Sequence, residues 1–212
     1  MERNYVGRPK YSKKKVYKVR RYRRPTYIPR QKFKSSQVYY FKRFCKYSDI
    51  NVPNISPALG ALIFRLDLLP NYTEFTNLYD QYKILGVAVT FLPKQTQSVS
   101  IGNVNNADAS ARIFTAIDYN DVNPPATVDE LREYQNAKYT SALRRHTRYI
   151  RAPKVQDQGS TYIPGNPWID TTSPGKYYFG LKYGIEPINS STTTSMNVGL
   201  ELTYYLAFKQ VK

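Results

Sequence analysis

The chain has 212 residues, a net charge of +17, one cysteine and one histidine. That excludes an intrachain disulfide framework and a His/Cys metal site built within one chain. No apolar run approaches the ~18 residues of a membrane span, and no apolar core follows the basic N-terminus as a secretory signal requires.

The charge is segregated. Residues 1–46 hold seventeen basic residues and one acid, for +16; residues 47–212 hold fifteen basic and fourteen acidic, for +1. The sequence therefore divides into a basic arm, 1–36, and a folded domain, 37–212. The arm's only large aliphatics are Val6, Val16, Val19 and Ile28, and Pro9, Pro25 and Pro29 oppose a continuous helix. Such a segment has nothing to bury and is expected to be disordered or extended when free.

Its cations, Arg8, Lys10, Lys13, Lys14, Lys15, Lys18, Arg20, Arg21, Arg23, Arg24 and Arg30, alternate with Tyr11, Tyr17 and Tyr22, and Tyr5 and Tyr27 extend the series. Cations neutralise phosphate, and aromatic rings stack on bases without demanding a sequence. Single-stranded nucleic acid, whose bases are free, is the expected partner. "KKK" and "RRYRR" also fit a nuclear localisation signal read by the host import machinery. An anionic membrane fits poorly, because the arm has no amphipathic apolar face.

Beyond the arm the pattern is period-two alternation. Strands are expected over 36–52, 61–69, 83–92, 111–119, 137–143, 144–152, 176–186 and 196–208. In 61–69, Leu62, Phe64, Leu66 and Leu68 share a face opposite Arg65 and Asp67. In the last strand, Val198, Leu200, Leu202, Tyr204, Leu206 and Phe208 form one long apolar face. Segments 137–143 and 144–152 read as two strands with a tight join. Two short helices are expected, Thr73–Tyr79 and Val128–Gln135. "TVDE" forms a capping box for the second, with Thr127 as N-cap and Glu130 three residues on. Long polar loops fill 93–110, 153–175 and 187–195. Without a βαβ rhythm, eight antiparallel strands predict an all-β jelly roll of two packed sheets.

No catalytic constellation or phosphate-binding glycine loop emerges, and no cofactor or metal is expected. His146, among Arg144, Arg145 and Arg148, is expected to resist protonation and to serve as an ordinary strand residue. Asp118, Asn120, Asp121 and Asn123 are read as turn chemistry rather than a calcium loop, since no glycine stands at the sixth position. Cys45 is read as a packed residue. Arg144, Arg145, Arg148, Arg151 and Lys154 form a second basic patch. It reads as a charged strand edge, a further contact to DNA, or an outward polyanion site. Alternation sends Arg144 and Arg148 to one face and Arg145 and Arg151 to the other.

"LYDQYKILGVAVTFLP" (78–93), "RYIRAPKV" (148–155), "PWID" (167–170), "GLKYGI" (180–185) and "TYYLAFK" (203–209) resemble, in order, segments of the capsid proteins of circovirus-like small circular single-stranded DNA viruses. The basic, tyrosine-containing arm resembles theirs as well. The resemblance implies a self-assembling, non-enzymatic jelly-roll subunit. It implies an icosahedral shell of sixty copies (T=1) and an arm facing a packaged single-stranded DNA genome; the expected locations are the virion and, from the arm's basic clusters, the host nucleus. The residues identify no receptor. Sixty copies of +16 carry 960 charges, enough for on the order of a thousand phosphates. Two other readings compete: a cellular nucleic-acid-binding β-domain with a basic tail, and a jelly-roll enzyme or lectin with a localisation tail. The first of these predicts basic and aromatic residues across the folded surface, the second clustered histidines or acids.

Overall fold

A computed structural model describes residues 37–94, 111–151, 154–156, 162–163, 165–187 and 195–212. The arm and most of the 93–110 and 187–195 loops lie outside the described residues.

Two antiparallel sheets face one another across a single core. The first sheet is built on its two longest strands, β4 (Tyr79–Pro93) and β12 (Ser195–Val211). On the free side of β12 lie β1 (Val38–Lys46) and β2 (Ile50–Pro53). On the free side of β4 lie β7 (His146–Arg151) and β10 (Ile169–Asp170). The second sheet is built on β11 (Tyr177–Ile185), with β3 (Ala58–Phe64) on one side. On the other side stand β5 (Arg112–Ala116), followed by β6 (Lys138–Ser141), and β8 (Lys154–Gln156), followed by β9 (Tyr162–Ile163). The chain passes repeatedly between sheets, as a jelly roll requires.

The apolar face expected for β12 is the centre of the core: Val198, Leu200, Leu202, Tyr204, Leu206 and Phe208 are all buried. Phe64 of the opposite sheet meets Tyr204 edge-on at 6.3 Å, and Phe91 meets Tyr183 at 5.8 Å. On β4 the buried positions change parity, from Tyr82 and Ile84 to Val87 and Val89. The cause is a bulge. Tyr205 pairs with Gly86 but Leu206 with Ile84, so Leu85 is the extra residue.

Helix α1 (Tyr72–Leu78) closes one end of the core, where Phe75 stacks on Phe208 at 4.9 Å. Helix α2 (Val128–Glu133) covers the outer surface of the second sheet, burying Val128 and Leu131 against Phe114 and Ala116. Its N-cap is the expected one. Thr127 Oγ1 accepts from the Glu130 amide at 3.2 Å, while Glu130 Oε2 accepts from the Ala126 amide at 2.7 Å, one residue earlier than a standard capping box predicts.

Several expectations need correction. Segment 36–52 is two strands, since Tyr47–Asp49 leave the ladder. The strand expected over 61–69 ends at Phe64, and Leu66–Leu68 form a 3₁₀ turn. The loop 153–175 contains β8, β9 and β10. Strands β6 and β7 have the tight join but are not a hairpin; they belong to opposite sheets.

Candidate nucleic-acid interface

The arm cations and tyrosines, from Arg8 to Arg30, and the side chain of Lys154 lie outside the described residues. Four members of the second basic patch can be placed. Arg144 and Arg145 are exposed in the turn that carries the chain from β6 to β7. On β7 itself, His146, Arg148 and Ile150 point inward while Thr147, Tyr149 and Arg151 point outward. The parity separating Arg148 from Arg151 is thus the expected one. Arg144 and Arg145 precede the strand and are not bound by it.

Arg148 is only 5% exposed. Its Nη2 donates to the Asn136 carbonyl at 2.9 Å, while its Nε has no partner among the described residues. Burial pulls its pKa down. Asn136 is itself fixed on the end of β5: its amide donates to the Ile117 carbonyl at 2.8 Å, and its Oδ1 accepts from the Ile117 amide at 2.6 Å. Four arginines close in sequence therefore do not make one surface.

Electrostatic pairing separates the domain's cations more sharply than sequence position does. On the second sheet and its helix Arg112, Arg132 and Lys182 are neutralised internally, while Lys138 of β6 has no carboxylate partner among the described residues; on the first sheet Arg43 meets Glu74 at 4.0 Å. Arg112 and Arg132 both bind Glu186, at 2.9 Å each, and Arg132 also binds Asp129. Lys182, buried, binds Asp118 at 3.0 Å and Asp121 at 2.9 Å. Burial opposes its charge, but hydrogen bonds and attraction from Asp121 and Asp118 win and raise its pKa. Arg65 pairs with Asp67, and Lys94 with Asp49. By contrast Lys42, Lys83, Arg144, Arg145, Arg148, Arg151 and Lys209 have no carboxylate partner among the described residues. The sequence missed this division because the pairs join distant segments, Arg112 and Glu186 being 74 positions apart.

The remaining candidates resolve as structure. His146 sits between Thr115 Oγ1, 2.7 Å from Nε2, and Thr140 Oγ1, 3.0 Å from Nδ1. Its pKa is lowered to about 4, first by burial, then by Arg148 and Lys138. Protonation is disfavoured as expected, with burial rather than the arginines as the chief cause. Asp118 and Asp121 accept from the Asn120 and Asn123 amides at 2.8 and 2.9 Å, which is turn chemistry, and the cation they hold is the Lys182 ammonium. Cys45 is buried, with its thiol directed at the Leu68 carbonyl.

Two facing antiparallel sheets, with the chain crossing repeatedly between them, define a jelly-roll protein. Solved structures share the fold. The 60-mer BFDV capsid protein superposes with a TM-score of 0.64 at 15% identity, covering 84% of this chain and 96% of that one. The decameric BFDV capsid protein gives 0.57 at 15% identity, covering 82% and 100%. The mud crab tombus-like virus gives 0.53 at 13% identity, covering 83% and 90%. Comparison with curated protein sequences returns no match. The family model for the circovirus capsid protein matches residues 8–212, and the chain belongs to that family. It is a structural, non-enzymatic protein of the virion.

Proposed function

We propose that this chain assembles into a T=1 icosahedral shell of sixty copies and packages single-stranded DNA through its arm. The observation that carries this is the segregation of charge: +16 in residues 1–46 against +1 in the rest of the chain. The 60-mer formed by the BFDV capsid protein, a relative in fold, supports the copy number. Because Lys42, Arg43 and Lys46 belong to β1, the arm proper carries +13. Sixty such arms would neutralise on the order of 800 phosphates. Tyr11, Tyr17 and Tyr22 would stack on unpaired bases, and the basics within Lys13–Lys15 and Arg20–Arg24 would also engage nuclear import on the way to assembly.

Deleting residues 1–34 tests this. It takes the net charge from +17 to +4 and leaves every strand among the described residues in place. The truncated subunit should fold with an unchanged denaturation midpoint. Its affinity for DNA should fall by orders of magnitude, and the salt dependence of what remains should be shallower. Undiminished binding would move the DNA site to the folded domain. Electron microscopy of the full chain with DNA checks assembly; persistent monomers would overturn the shell.

A further inference from the structure

The cations left unpaired on the first sheet share its outer face with exposed aromatic rings. Pairing register fixes that face. Lys42 lies opposite Tyr205, Tyr205 opposite Gly86, and Gly86 opposite Arg151, one row across four strands. The next row runs Phe44, Thr203, Ala88, Tyr149. Side-chain contacts agree. Tyr149 and Tyr205 meet edge-on at 5.6 Å, and the Lys42 ammonium stands 5.0 Å from the Phe44 ring centre and 5.9 Å from that of Tyr205. Gly86 makes room for this, because a Cβ there would lie 2.6 Å from the Tyr149 hydroxyl. In the row on the other side of Lys42, Tyr40 lies opposite Ala207.

Three of these rings are left to solvent: Tyr40 is 71% exposed, Phe44 68% and Tyr149 50%. A β-strand of a solvated sheet face ordinarily carries polar residues outward, and exposed aromatic area of this kind marks a contact surface. The charges say what the contact is. Lys42 and Arg151 flank the rings without a carboxylate among the described residues. The face's acids lie outside the row that holds Lys42 and Arg151: Glu201 is two rows away, opposite Lys46, and Asp170 is at the β10 edge. A second copy docking through this same face would meet the same cations, whereas a polyanion would complement them. Tyr40 and Phe44 are successive outward positions flanking Lys42 on β1, each about 7 Å from it. A ring, a cation and a ring suit splayed bases with phosphate between them, not a duplex whose bases are hidden.

We propose that the outer face of the first sheet is a second binding surface for single-stranded nucleic acid. Bases stack on Tyr40, Phe44 and Tyr149, and phosphates bind Lys42 and Arg151. The inference rests on the reading that the chain binds DNA through its arm. It adds a site contiguous in sequence with that arm, since β1 begins two residues after residue 36. The strand receiving the arm would thus continue its alternation of tyrosine and cation, now held rigidly.

The test uses the full chain in which Tyr5, Tyr11, Tyr17, Tyr22 and Tyr27 are replaced by Ser, so that arm stacking does not mask the sheet. An oligothymidylate carrying 5-iodouracil is photo-cross-linked to it and the adducts are mapped by mass spectrometry. Tyr40→Ser with Phe44→Ser is then added and affinity measured for single and double strands. Both rings are exposed, so the melting midpoint should hold and shows that folding is intact. Adducts at Tyr40, Phe44 or Tyr149, with about a tenfold loss on single strands and less than twofold on duplex, are expected. Adducts confined to the arm, with affinity unchanged, would overturn the sheet surface and leave the arm reading intact. No binding by the unsubstituted chain would sink both. A sulfated polysaccharide arm separates the other polyanion. If Lys42→Gln with Arg151→Gln abolishes heparin binding while Tyr40→Ser with Phe44→Ser leaves single-strand affinity unchanged, the face is an attachment surface and the proposal is wrong.

Discussion

Lys182, Arg112 and Arg132 on the second sheet and its helix, and Lys42 and Arg151 on the first sheet, use the same charge in opposite ways. On the outer side of the second sheet, Lys182, Arg112 and Arg132 are paired with carboxylates and fasten α2, β5 and β11 to one another. On the outer side of the first sheet, Lys42 and Arg151 carry the same charge with no acid to answer it, and Lys83 and Lys209 lean on Trp168, 5.5 and 4.6 Å from its ring. A side chain's charge alone does not say whether it holds a fold together or serves something outside it. Its counter-charge does. A net charge of +4 over residues 37–212 conceals this difference, because a sum over the domain does not record which cations have an acid beside them.

The sharpest way to break the contrast is one substitution made on both sides. Lys182→Met leaves Asp118, itself buried, with only the Tyr134 hydroxyl and the Asn120 amide as partners. Removing one member of a buried ion pair costs about 3–5 kcal/mol, read as a large drop in the urea midpoint of the dissociated subunit. Lys42→Met removes an exposed, unpaired ammonium and should shift the midpoint by less than ~0.5 kcal/mol. Equal losses would mean that the first-sheet cations are structural after all.

The next largest effect is on pH. His146 stands between the sheets, its folded pKa near 4 against an ordinary value near 6.5. Below pH 6.5 the unfolded chain takes up a proton that the folded chain refuses. Stability is therefore full above pH 6.5 and is lost as pH falls toward 4, by about 3 kcal/mol in total. Asp118, whose pKa is held low by its hydrogen bonds against the cost of burial, loses its contribution only at more acidic pH, below the ordinary carboxylate range. Urea midpoints of the subunit at pH 7 and pH 5 should differ, and His146→Gln should flatten that difference. A variant with the same slope would assign the loss to other groups.

What the sequence disclosed follows the same physics. The β12 face is legible because a strand buried on one side must alternate, and six apolar residues do so without a break. The β4 pattern is legible only in part. "YKILGVAV" changes parity at Leu85, and a sequence shows that as irregularity rather than as a bulge. Strands β8, β9 and β10 are two or three residues long, too short to show a period. Segment 36–52 alternates through Val38, Tyr40 and Lys42 or through Tyr39, Phe41, Arg43 and Cys45, and both sets contain aromatics, so hydrophobicity does not say which faces inward. Burial settles it. Phe41 packs on Phe75, Tyr79 and Phe208, while Tyr40 and Phe44 face solvent. The basic arm is legible from its charge, its tyrosines and its lack of aliphatics; the basic patch at 144–154 is continuous in sequence, and its arginines divide into turn, interior and outer face.

The smallest effect sharpens the comparison furthest, because it is expected in binding and not in stability. Lys42→Gln with Arg151→Gln removes two positive charges from one row of the first sheet and no ion pair. The fold should not register it, since neither side chain is buried. Binding should. Each phosphate neutralised on a single strand contributes about −0.7 to the slope of log affinity against log salt. The double variant should therefore be shallower by about 1.4 on oligothymidylate. The control is Arg112→Gln with Arg132→Gln on the other sheet, which removes the same nominal charge. There the arginines already spend their charge on Glu186 and Asp129, so the slope should change far less while the denaturation midpoint falls. If the two double variants change the slope equally, DNA senses only the net charge of the domain and no particular face. If only the first-sheet variant does so, counter-charge is what distinguishes a binding cation from a structural one in this capsid subunit.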